Sequence, residues 1–239
     1  MFNGLRPVFG ARCRTKGFSM GPSWKQTWEL RTSLYAFLGN TLLEPMRVEA
    51  SEGISPAFWS GFPLQPANEA MERALFDLAR LAERFAELPI EEAASSIAID
   101  YTQLFLGPAV VRAPLWESLY REGGRYLFGQ PTFEMRELFR AYGLKLEESV
   151  RQFEDHMGVE LLFLSATSSR FAACAPKADD VDALERFIDA HPLHWVEDLL
   201  GNIVEYETTG YYSGIARLSW GVLLWDKELL QEYRAQMER

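Results

Sequence analysis

From Ser23 to Met237 apolar residues recur at three- and four-residue steps, and no segment alternates strictly between apolar and polar positions. That periodicity restricts the chain to helices packed on helices. Trp24, Trp28, Leu34, Tyr35, Leu38 and Leu42 mark a first helix over about 25–43, with Ser23 as its N-cap. Residues 44–67 hold Pro45, Gly53, Pro56, Gly61, Pro63 and Pro66 and read as a crossing with room for one helical turn near 57–60. Asn68 caps the next helix, whose Met71, Leu75, Leu78, Leu81, Phe85 and Leu88 share a face; Pro89 ends it, and another helix covers about 90–106. Thr132 is placed to cap a helix through Tyr142, with Gly143 as its stop, and residues 147–174 read as one long helix. Asp179 or Asp180 starts a helix that His191-Pro192 interrupts, and helices over 194–207 and 211–237 follow. The expected fold is all-α, a single globular domain of about nine or ten helices over residues 23–239.

The punctuation fails to be routine in one place. Residues 107–131, GPAVVRAPLWESLYREGGRYLFGQP, exceed the length at which unstructured connections become uncommon in compact domains, about 12 to 15 residues. Pro108, Pro114, Gly123, Gly124, Gly129 and Pro131 break any helix there, yet Trp116, Tyr120, Tyr126 and Phe128 are too many aromatics for a disordered segment. An ordered aromatic loop between helices is a candidate recognition surface.

Composition narrows the function. The net charge of -10 argues against a phosphate-backbone binder, so no nucleic-acid partner is expected. No apolar run approaches the roughly 18 to 20 residues of a membrane span, so no stable membrane insertion is expected. Cys13 and Cys174 are far apart and outside any CxxC or Cys/His spacing, which suggests neither a disulfide framework nor a zinc site and fits a reducing, cytoplasmic setting. Residues 1–25 carry five basic side chains and no acid, leaving the rest near -15. Lacking an apolar h-region, residues 1–22 read as a flexible basic extension, with Met20 a candidate start.

Few motifs carry chemistry. His156 and Glu160 are four apart, hence neighbours if both are helical. In the long helix expected over 147–174, Val150, Phe153, Met157, Leu161 and Leu164 share a stripe, and Asp155 lies on the side of Val159 and Leu162. A charged pair holding helices together is the plain reading. The alternative is a helical metal-dependent enzyme using His156 and Glu160 with His191 or His194, but no Glu-x-x-His occurs, and di-metal carboxylate bundles need two. His191 and His194, separated by Pro192, read as end and start of adjacent helices. A nucleophile elbow, a P-loop and a dinucleotide fingerprint are absent; neither a metal nor a cofactor is expected.

Taken together, YTQLFLGP (101–108), APLWESLY (113–120), YLFGQP (126–131) and EDHMGVELLF (154–163), then FIDAHPLHW and YYSGIARL, resemble in order and spacing the TorD/DmsD/NarJ family of molybdoenzyme maturation chaperones. The resemblance covers roughly residues 25–225. It implies a non-enzymatic, cytoplasmic, all-helical chaperone, monomer or dimer. Its partners would be an apo-molybdoenzyme catalytic subunit and that subunit's twin-arginine signal peptide. The family's peptide-binding positions fall on Phe105, Gly107, Pro108, Pro114, Trp116, Ser118, Tyr120, Gly129, Asp155 and His156. Asp155 or Glu160 would accept guanidinium hydrogen bonds, and Trp116, Tyr120 and Phe128 would cover the apolar part of the peptide or stack on arginine. One departure is Phe153, where the family often has proline; a helix running through that point would present Asp155 and His156 differently from one that starts there.

Overall fold

The structure is a computed structural model and describes residues 5–7, 22–107, 111–121, 124 and 126–238. Helices cover Pro22–Leu43 (α1), Pro56–Ser60 (α2), Glu69–Phe85 (α3), Ile90–Tyr101 (α4), Gln130–Tyr142 (α5), Met157–Ala173 (α6), Ala178–Ala190 (α7), Pro192–Tyr206 (α8) and Tyr211–Met237 (α9). Strands Leu5–Pro7 (β1) and Leu144–Leu146 (β2) pair antiparallel, Leu5 opposite Leu146. Among the described residues, eight helices are 12 residues or longer. That is slightly fewer than expected, because the 44–67 crossing adds only the five-residue α2. The fold is all-α apart from the small β1–β2 ribbon; β1 falls within the expected N-terminal extension, and Met20 lies outside the described residues.

The caps follow local chemistry. The Asn68 side chain accepts from Met71 N at 3.0 Å, and Pro89 precedes α4 as the break demands. Gly143 stops α5 in the left-handed region at φ 62°, where a Cβ is disfavoured. Three expectations shift. Helix α1 begins at Pro22, so Ser23 lies inside its first turn and is not its cap. Helix α5 starts at Gln130 with Gly129 as N-cap, so Thr132 lies inside the first turn with its side chain free for another acceptor. The helix expected over 147–174 begins only at Met157, although apolar spacing runs unbroken through Val150 and Phe153. Phe153 is drawn instead against the Phe128 ring, with centroids 5.4 Å apart, and His156 closes the helix start: its Nδ1 accepts from Gly158 N at 3.0 Å. Cys174, at the end of α6, is disulfide-bonded, against the expectation from cysteine spacing; Cys13 lies outside the described residues.

The contacts fall into two compact units. The first comprises residues 1–43, 116–194 and 226–239, the second residues 44–115 and 195–225.

In the first unit α1 runs along α6, and the two backbones come close where Gly39 faces Gly158; a Cβ on either would lie 2.7 Å from the other's carbonyl oxygen. Trp28 packs edge-on against Phe171 and Tyr233. Arg31 is fully buried beside them, donating to both oxygens of Asp226 at 2.6 Å, while Tyr35 Oη donates to the same carboxylate at 2.7 Å. Burial, then the Asp226 charge, push the Tyr35 hydroxyl well above its ordinary range.

In the second unit Tyr101, Phe105 and Tyr212 form an edge-on aromatic cluster. The buried Asp100 carboxylate accepts from Thr208 Oγ1 and Thr209 N, pinning the turn between α8 and α9. At the end of α4 the chain widens into a π turn over Thr102–Leu106, ending at Gly107.

Candidate peptide-binding loop

The described part of the aromatic loop is ordered from beneath. Trp116 and His156 form an isolated antiparallel bridge, and Glu117 N donates to Asp155 O at 2.9 Å, so the chain from Trp116 lies against the approach to α6. A 3-10 turn, Glu117–Leu119, follows. Asp155 is fully buried and accepts three hydrogen bonds: Ser118 N at 3.0 Å and Ser118 Oγ at 2.5 Å on Oδ2, and Thr132 Oγ1 at 2.8 Å on Oδ1. Ser118 Oγ in turn accepts from Gly129 N at 3.0 Å. A Cβ on Gly129 would sit 3.0 Å from Ser118 Oγ, so a side chain there would crowd this contact. One carboxylate thereby ties the middle of the loop and the first turn of α5 to the start of α6. Such charge-assisted bonds are worth more than neutral ones because the dry surroundings do not screen them.

His156 belongs to the same scaffold. It is buried beside Trp116, with ring centroids 5.6 Å apart, and burial alone lowers its pKa to about 3, so the imidazole is neutral. Trp116 Nε1 is buried with no hydrogen-bond partner among the described residues. An unmatched buried donor is uncommon and calls for an acceptor.

Above this scaffold the loop exposes apolar surface. Tyr126 is 80% exposed, Phe133 47% and Phe128 40%, with Leu127 between them. Phe128 holds φ 67°, a conformation disfavoured for a non-glycine residue, and its ring meets Phe133 at 5.0 Å and Phe153 at 5.4 Å. Arg136 lies over the Phe128 ring, 4.7 Å from its centroid, and is anchored to Glu154 at 2.7 Å. A strained, exposed aromatic held by its neighbours differs from ordinary scattered surface hydrophobics.

The sequence-predicted residues therefore divide. Trp116, Ser118, Gly129, Asp155 and His156 come together in one cluster, with Tyr120 at the end of its 3-10 turn. Phe105, Gly107 and Pro114 belong to the second unit, where Phe105 is buried against Tyr101 and Tyr212; Pro108 lies outside the described residues. Glu160 is fully buried on α6. Asp155 and Glu160 are thus sealed from solvent, and Asp155 has both oxygens engaged, so its geometry is that of a positioning group. Sequence reasoning passed over Thr132, which it placed as a cap, and Glu117. The latter is buried, bonded to Arg121 Nε at 2.6 Å and to His191 Nδ1 at 2.8 Å. Their only sequence signal was a polar residue beside a large aromatic, Glu117 after Trp116 and Thr132 before Phe133.

The metal alternative finds no support in His156, whose Nδ1 is engaged in capping. Among the described residues one group of three, Glu117, Glu160 and His191, brings its carboxylate and imidazole atoms within 4.8 Å of one another, and Arg121 already neutralises Glu117. No helix among the described residues is long and apolar enough to cross a membrane.

Residues 65–200, more than half of the chain, match the family profile described as nitrate reductase delta subunit. Chaperone protein TorD of Vibrio cholerae is 29% identical over 171 residues, spanning 70% of this chain and 74% of that protein. TorD of Shewanella pealeana is 23% identical over 85% of this chain and 90% of its own length. The Tat proofreading chaperone DmsD of Salmonella typhimurium is 25% identical over 54% of this chain and 60% of its own. The helical fold, the conjunction of the loop motifs with the Asp155-His156 helix start, and these matches place the chain in the nitrate reductase delta subunit family, the TorD/DmsD/NarJ group of molybdoenzyme maturation chaperones.

Proposed function

We propose that this protein is a non-enzymatic, cytoplasmic maturation chaperone that binds the twin-arginine signal peptide of a molybdopterin oxidoreductase and guards the apoprotein until its cofactor is in place. The observation that carries the reading is the exposed surface of Tyr126, Leu127, Phe128 and Phe133, held up by the Ser118–Asp155–Thr132 network. A signal peptide pairs two guanidinium groups with an apolar segment. The aromatic patch suits the apolar segment. The chain's charge of -10 draws the cationic end in from a distance. Phe105, Gly107, Pro108, Pro114, Trp116, Ser118, Tyr120, Gly129, Asp155, His156 and Glu160 remain the proposed site residues. Within that set the buried Asp155, His156 and Glu160 position the surface. Because a signal peptide orders only on binding, part of the contact energy is spent on ordering, which keeps the complex releasable.

Titrating purified protein with a fluorescently labelled twin-arginine peptide from a molybdoenzyme encoded nearby tests the reading. Saturable binding that falls at least tenfold in Tyr126→Ser and Phe133→Ser is expected. Absence of binding to every such peptide, or equal affinity for a scrambled apolar control, would overturn it.

A further inference from the structure

A cavity of about 310 Å³ opens in the second unit between the later turns of α3 and the beginning of α9. That volume sits at the lower end of the range for small-molecule sites, about 300–1,000 Å³. At its floor the two helices come close: a Cβ on Gly214 would lie 2.6 Å from the Leu78 side chain, so glycine there permits the approach.

The lining is cationic. Arg80 and Arg84 contribute from α3 and Arg217 from α9, and the one acid in the lining, Asp77, is already bonded to Arg73 Nε at 2.8 Å. Arg80 and Arg217 have no carboxylate partner among the described residues, and Arg84 donates only to the neutral Thr209 carbonyl, at 3.4 Å. Arg80 and Arg84 stand at i and i+4, a spacing at which like charges repel. Three guanidinium groups around one cavity are conspicuous in a chain with 34 acidic against 24 basic side chains, where partners are plentiful. Nor does the start of α9 explain them. Its first N–H groups are taken by the Glu207 carboxylate, which accepts from Tyr212 N and Ser213 N. Arg80 lies over the Phe76 ring, 5.6 Å from its centroid, and Arg84 on the Thr209 carbonyl; neither contact neutralises the charge.

We propose that this cavity binds a small oxyanion carrying at least two negative charges, held by Arg80, Arg84 and Arg217, with Ser213 Oγ at its edge as a further donor. Guanidinium forks match the paired oxygens of phosphates and carboxylates, and the bound charge relieves the repulsion among the three arginines. The site is built from residues other than the aromatic loop, and its test needs no client peptide.

Isothermal titration calorimetry of the full chain in low-salt buffer decides the matter, using pyrophosphate and citrate as probes and sodium chloride at matched ionic strength as control. One-to-one saturable binding is expected for at least one probe, weakened about tenfold or more in Arg217→Gln and again in Arg84→Gln. The stronger probe assigns the ligand to the phosphate or the carboxylate class. Both substituted side chains reach solvent, so circular dichroism and thermal melting should report intact folds. Heats no larger than those of chloride, or variants that titrate like the parent protein, would overturn the proposal.

Discussion

Replacing Asp155 by alanine should unfasten the loop from the start of α6, and the cost follows from the donors it would strand. Ser118 N, Ser118 Oγ and Thr132 Oγ1 all point at this one carboxylate in a site closed to water. The two hydroxyls, 3.4 Å apart, can partly satisfy each other, which leaves the Ser118 amide and one hydroxyl hydrogen without an acceptor. Each stranded buried donor costs about 1–3 kcal/mol, so Asp155→Ala should lose roughly 2–6 kcal/mol. That is a large share of the roughly 5–15 kcal/mol of a typical domain. Asp155→Asn keeps the shape and one acceptor oxygen and should lose about half as much. Urea unfolding followed by circular dichroism measures the loss, and brief chymotrypsin digestion reads the loop, where Tyr126, Leu127 and Phe128 are the exposed cleavage sites. The alanine variant should be cut faster there even under conditions where it remains folded. A loss below about 1 kcal/mol with unchanged cleavage would refute the view that this carboxylate supports the loop.

The His156 imidazole, held down at about 3 by burial, gives a pH signature. Its folded pKa lies below the roughly 6.5 of an unfolded histidine, so its stabilising contribution is present above pH about 6.5 and drains away as pH falls toward 3, by up to about 1.4 kcal/mol per pH unit. Urea unfolding at pH 7 and pH 5 should show that slope reduced in His156→Gln, and an identical slope would refute it. Gly158→Ala should destabilise by about 1–3 kcal/mol, because its Cβ would lie 2.7 Å from the Gly39 carbonyl oxygen; a gain in thermal stability, as at an ordinary helical glycine, would contradict the close crossing of α1 and α6. Phe128→Gly should leave folding stability within about 1 kcal/mol, since relief of a positive φ offsets lost ring contacts. The same variant should weaken labelled signal-peptide binding in fluorescence anisotropy; unchanged affinity would remove Phe128 from the surface.

The sequence by itself determined the helical class and most helix limits, because those depend on neighbours along the chain: apolar spacing sets the faces, while Asn68, Pro89 and Gly143 act on their own backbone. It also located the aromatic loop and the Asp155-His156 pair, since breakers and aromatics are visible without coordinates. What it could not weigh is competition from residues distant along the chain. Val150 and Phe153 continue a helical spacing, yet the segment stays outside α6, because the Ser118 and Thr132 hydroxyls and the Phe128 ring take Asp155 and Phe153 into contacts a helix there would forgo. The same competition moved Thr132 from cap to a donor on the Asp155 carboxylate and made Asp155 a buried tie beneath the loop. Periodicity is a property of one segment, whereas burial and hydrogen-bond satisfaction belong to pairs of segments, and only tertiary structure brings those pairs together.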